Sequence, residues 1–85
     1  MPRYFFDLHN GNGFTRDDEG QDLIADSAAR QVAIIGIRSI LSDEVLQGAL
    51  DLSGRIDIRS ESGPIILTVP FRAAVDLRLS AGDTS

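Results

Sequence analysis

Residues 26–48 read DSAARQVAIIGIRSILSDEVLQG, and this stretch decides the fold. Asp26 and Ser27 are residue types that favour a helix N-cap. No proline interrupts the run from Ala28 to about Leu46, and Gln47-Gly48 offers a stop that tolerates the left-handed conformation. At 100° per residue, Ala29, Ala33, Ile37, Ile40 and Leu41 fall on one broad face suited to lie on a sheet. Small Ala and Gly36 on that face would let the helix axis sit close to the strands. A helix of about 20 residues is long for a small domain, so one helix is expected to span the molecule.

Working outward, both flanks read as strands. Arg3–Asn10, RYFFDLHN, alternates Tyr4, Phe6 and Leu8 with Phe5, Asp7 and His9, the period of two of a strand with one buried face. Asn10-Gly11-Asn12-Gly13 is a tight-turn signal, with Phe14-Thr15-Arg16 as a short return strand. A polar loop, Asp17 to Asp22, precedes Leu23-Ile24, which lead back to the core. After the helix, Arg55–Arg59 puts Ile56 and Ile58 on one face. Ser60 to Gly63 is a hairpin loop. Pro64 to Phe71 then directs Ile65, Leu67, Val69 and Phe71 inward and Ile66 and Thr68 outward, with Pro70 marking an end or an edge. Val75, Leu77 and Leu79 alternate with polar residues as a short last strand.

The reading is α+β: a two-layer β-β-α-β-β sandwich, an antiparallel sheet with one long helix on one face. Residues 1–79 form a single domain and residues 80–85 a disordered C-terminal tail.

Composition narrows the function classes. The 85 residues carry eight Arg, no Lys and 13 Asp plus Glu, a net charge of −5, which opposes polyanion binding; nucleic acid is therefore disfavoured as a partner. The chain has no Cys and one His, too few soft ligands for a zinc site, so neither metal nor cofactor is expected. No apolar run reaches a membrane span, and MPRYFFDLHN lacks the pattern of a signal peptide; a cytoplasmic setting is the expectation.

Candidate chemistry is sparse. Asp17, Asp18, Glu19 and Asp22 are a dense acidic loop, but without the alternating ligand spacing of a calcium loop; a solvated turn capped by an Asp side chain, with Gly20 in an unusual φ, accounts for them. His9 lies two residues from Asp7 on the same strand face, so an Asp7–His9 contact is geometrically open, yet no nucleophile motif accompanies it. Gly11 and Gly13 belong to a hairpin rather than a phosphate loop. No catalytic residue emerges.

Apolar surplus is the more informative feature. Ala28, Val32, Ile35 and Leu46 form a second stripe, away from the sheet-facing one, of the kind that packs on another helix. The termini or the Asp17 to Ile24 loop are the intramolecular alternatives for covering it. A homodimer contacting through Val32, Ile35 and Leu46 is the first expectation. The outer sheet face, with Phe5, Arg55, Arg59 and Ile66 among its residues, is a second candidate surface, for an unidentified protein or nucleic-acid partner. Cross-strand ion pairing explains its charges equally well.

The segments Tyr4-Phe5-Phe6, Asp18-Glu19-Gly20, Leu52-Ser53-Gly54-Arg55-Ile56 and Leu67-Thr68-Val69-Pro70-Phe71 together resemble a family of small uncharacterised proteins, found mainly in alphaproteobacteria, that open with MPRYFF and close near LTVPF. The likeness runs from Met1 to about Leu77. It implies small size and a cytoplasmic location, and no activity. Members of that family usually carry polar residues at the positions of Val32 and Ile35. A looser likeness, of topology alone, is to the partial ribonuclease-like fold of HicB-type antitoxins, which bind a small toxin; fold does not fix function. The first expectation is thus a non-enzymatic, self-associating interaction module. An antitoxin-like or regulatory protein binding through the outer sheet face is the alternative.

Overall fold

A computed structural model describes residues 1–11 and 13–78. Five antiparallel strands and one helix follow in the order β1 (Arg3–Asn10), β2 (Gly13–Thr15), β3 (Gln21–Asp22), α1 (Asp26–Leu46), β4 (Arg55–Ser60) and β5 (Ile65–Pro70), and a 3₁₀ turn, Phe71–Ala73, comes last. The sheet runs β2-β1-β4-β5, with β3 pairing β1 as well. The α+β class and the antiparallel sheet under one long helix are as the sequence pattern predicts.

The hydrophobic layer lies between α1 and the inner sheet face. Ala29, Ala33, Ile34, Ile37 and Leu41 of the helix meet Tyr4, Ile56, Ile58, Val69 and Phe71, all buried. Ile37, Ile58 and Phe71 are fully enclosed, so each large side chain contributes about 1.5–3 kcal/mol of burial. Ala29 and Ala33 bring the axis close to the strands, as expected. Gly36 does not: a Cβ there would have no neighbour within 4 Å.

Both helix ends are informative. The N-cap position is Ala25, in extended conformation, and Asp26 is already the first helical residue. The expected Asp26 or Ser27 cap is therefore replaced. The Asp26 carboxylate instead accepts the Tyr4 hydroxyl at 2.7 Å, while its charge in the first turn complements the helix dipole. The C-terminus closes as predicted. Gly48, at φ 83°, donates its N–H to Val45 O and Ala49 donates to Glu44 O, the paired bonds that satisfy a helix's last carbonyls. Ser42-Asp43-Glu44 do not interrupt the helix.

Two expectations in the C-terminal half are corrected. Ile65 is exposed rather than inward, because the β4–β5 register shifts between Ile58 and Arg59; the extra residue turns Ile65 out of the alternation. Val75 and Leu77 form no strand. Phe71 drives into the core with its N–H on Gly54 O at 2.9 Å, and Arg38 Nε donates to Ala74 O at 2.7 Å. Together they draw the chain back over the helix. Leu79 and the tail expected at 80–85 lie outside the described residues. At the other end, the Asp17–Asp22 loop yields the added strand, as Arg3 pairs Asp22 and Tyr4 pairs Gln21.

Candidate functional site

Among the described residues no helix lies on the outer face of the sheet, yet two aspartates on it are buried. Phe5, Asp7 and His9 of β1 stand opposite Arg59, Asp57 and Arg55 of β4 in register. Asp7 and Asp57 are each 5% exposed, covered by their own partners. Arg59 Nε donates to Asp7 Oδ2 and its terminal nitrogen to Asp7 Oδ1 at 3.2 Å and to the Asp17 carbonyl at 3.0 Å. The same guanidinium lies 4.9 Å from the Phe5 ring centroid. Burial pushes the Asp7 carboxyl up, but the Arg59 bonds and the Asp17 N–H outweigh it and hold Asp7 below the ordinary carboxylate value. Arg59 is correspondingly raised, chiefly by its bond to Asp7.

Asp57 holds the other half of this lattice. His9 Nε2 approaches Asp57 Oδ2 at 3.1 Å, Arg55 Nε reaches Asp57 Oδ1 at 3.3 Å, and the Thr68 hydroxyl donates to the same oxygen at 2.9 Å. The Asp7–His9 contact that the strand spacing left open does not form; His9 makes this cross-strand pair instead, and Arg59 occupies Asp7. The Phe14 ring packs 4.5 Å from the His9 ring. With Arg59 drawn onto Asp7 and Phe5, that aromatic face is covered, while Arg55 remains half-exposed at the sheet rim.

The acidic loop is a staple. Asp17 Oδ1 accepts the Glu19 and Gly20 N–H groups at 3.2 Å each, and Asp17 Oδ2 accepts the Phe6 N–H at 3.0 Å. Gly20 adopts φ 73°, as the turn reading requires, and a Cβ there would strike the Phe5 ring and the Tyr4 carbonyl. Near the helix end, a cleft of about 500 Å³ is lined by Asp43, Glu44 and Asp51 among others. Two of these carboxylates have partners: Glu44 accepts the Asp51 N–H, and Asp51 accepts both donors of Ser53. The Ser53 bonds hold Asp51 below its usual value. Among the described residues, no three His, Cys, Asp or Glu side chains gather as a metal site.

A different surface collects the apolar excess. Val45, Leu46, Leu50, Val75 and Leu77 are all exposed, and with Arg38, Leu41, Ser42 and Asp76 they line a groove of about 390 Å³. Leu46, at 82% exposure, and Ile35, at 63%, are on the outer helix face as read from the sequence. Val32 is partly covered, facing a cleft of about 250 Å³ that it shares with Phe6, Gly20 and Gly36. Ile66 is exposed, at the bulge in β5. Sequence reasoning missed the groove because Val45 lies on neither predicted stripe and Val75 and Leu77 read as a strand. It also missed Asp57 as the hub, since only strand register brings that residue to His9.

A family model described as a domain of unknown function, DUF6894, matches residues 3–72. That match takes in β1 to β5 and the whole of α1. The chain belongs to the DUF6894 family. No curated protein and no solved structure gives a significant match. For this DUF6894 domain, no helix among the described residues is long and apolar enough to cross a membrane.

Proposed function

We propose that this DUF6894 domain is a non-enzymatic interaction module, a cytoplasmic homodimer that associates through the C-terminal half of α1. One observation carries the reading: Val45, Leu46, Leu50, Val75 and Leu77 gather exposed along one groove. Contiguous exposed apolar side chains of this kind mark association surfaces, whereas scattered ones carry no such meaning. Leu46 is the central contact, Ile35 extends the surface along the helix, and Val32 is a lesser contributor because β1 and the Gly20 turn already shield part of it. The outer sheet face suits a structural role better than a reactive one, since its acids and bases are spent on each other.

Sedimentation velocity across a concentration series tests the proposal. The wild-type chain is expected to be a dimer at tens of micromolar, and Leu46→Glu a monomer with an unchanged far-UV circular dichroism spectrum. A wild-type chain that stays monomeric throughout the series overturns it.

A further inference from the structure

The two edges of the sheet are built differently. On one side, β1 is flanked by β2 and β3, strands of three and two residues. Charged residues crowd that edge, with Arg3 bound to Asp22 and Arg16 to Asp18. Short strands and charge are devices that stop a sheet from adding a neighbour. On the other side, among the described residues β5 pairs only with β4. Its sequence, IILTVP, holds no charge, and Ile65 and Ile66 are exposed.

The phase of its hydrogen bonding follows from the Phe71 N–H on Gly54 O. Antiparallel pairs alternate, so Val69 and Leu67 also turn their backbone toward β4, opposite Ile56 and Ile58. Thr68, between them, directs its N–H and carbonyl to the open side. Pro70 occupies the next outward position, where a missing N–H removes nothing from the β4 ladder.

We propose that β5 of a second copy of this chain pairs antiparallel with this edge near Thr68, making one continuous sheet across the dimer. The inference rests on the self-association reading and names its geometry. A copy is the fitting occupant for three reasons. An antiparallel strand is its own complement about a two-fold axis. At net charge −5 two chains repel over most of their surface, and β5 offers an uncharged line of approach. The edge also continues, through the 3₁₀ turn, into the segment carrying Val75 and Leu77, and the groove those residues line holds one Arg and one Asp, with no net charge to oppose a copy.

The test compares three variants by sedimentation velocity and follows amide exchange in the wild type. Thr68→Pro deletes the outward N–H, and Thr68→Val removes only the hydroxyl. The expected result is a dimeric wild type and Thr68→Val, a monomeric Thr68→Pro that retains cooperative unfolding, and a Thr68 amide that exchanges at least tenfold faster once the wild type is diluted to monomer. A Thr68→Pro dimer alongside a monomeric Leu46→Glu overturns the edge pairing and leaves the groove reading standing. A wild-type monomer overturns both. Should Thr68→Pro fail to fold, the exchange measurement decides alone, and fast exchange of Thr68 within a wild-type dimer overturns the pairing.

Discussion

Asp7 and Asp57 face each other across β1 and β4, buried to the same degree on the sheet face opposite α1. Two like charges directly opposite destabilise a strand pair. Here each is turned to a different guanidinium, Asp7 to Arg59 and Asp57 to Arg55, with the His9 ring also against Asp57. The pairing therefore acts as a register lock. A one-residue slip of either strand would turn that strand's carboxylate among apolar core side chains. Removing one partner exposes the arrangement. Arg59→Met is expected to cost about 3–5 kcal/mol by leaving a buried carboxylate uncompensated, measured by urea denaturation. Asp7→Asn combined with Arg59→Met should recover part of that loss, since the stranded charge goes with its partner.

The same lattice sets an acid limb to stability. Asp7 is held below its ordinary value in the folded chain, so the folded state binds the proton less readily than the unfolded state. Its contribution is complete above the unfolded carboxylate value of about 4. The contribution falls away as the pH drops through the lower folded value. Melting temperature measured between pH 7 and pH 2 should decline on the acid side, and Asp7→Asn should flatten that decline. An identical acid slope in both proteins contradicts the assignment.

Two glycines should respond in opposite directions. Gly36 lies within α1 with open space where a Cβ would go. Gly36→Ala is expected to stabilise the chain by about 1 kcal/mol from helix propensity, a rise in Tm of roughly 4–8 °C for a domain of this size. Gly54 precedes β4, and a Cβ there would fall 2.7 Å from the His9 carbonyl and 2.8 Å from the Phe71 ring. Neither can yield, because one is sheet backbone and the other is enclosed in the core. Gly54→Ala should destabilise by roughly 1–3 kcal/mol, seen as a matching fall in Tm.

Much of this fold is legible in the chain because its signals are local. The helix shows in the spacing of Ala29, Ala33, Ile37 and Leu41, β1 and β4 in strict alternation, and the helix stop in Gly48. What escapes is what depends on register. The bulge that exposes Ile65 arises between Ile58 and Arg59 on the opposite strand, and no property of Ile65 announces it. His9 meets Asp57 rather than Asp7 only because β1 and β4 align as they do. The apolar groove likewise joins helix residues to Val75 and Leu77, some 30 positions on. Leu46 and Ile35, by contrast, stand exposed where helical periodicity puts them.

Tyr4 gives the last expectation an unusually clean readout. It is the only tyrosine and the chain has no tryptophan, so tyrosinate absorbance reports this residue alone. The hydroxyl donates to Asp26 Oδ1 at 2.7 Å, and Tyr4 is 4% exposed. That bond, then burial, then the Asp26 charge raise its pKa above the ordinary value of 10.0. The stabilisation is fully present below that unfolded value and is lost as pH rises through the folded one. Ionisation places a phenolate beside a carboxylate, so alkaline titration should release the β1–α1 contact. An absorbance titration is expected to show a midpoint above 10, and Asp26→Asn should lower it by removing the charge that disfavours the phenolate. Tyr4→Phe should lower stability at neutral pH by removing the bond to Asp26, and should leave stability less sensitive to pH above 10. An unshifted midpoint in Asp26→Asn would mean that burial, rather than the helix's first carboxylate, holds the proton on Tyr4.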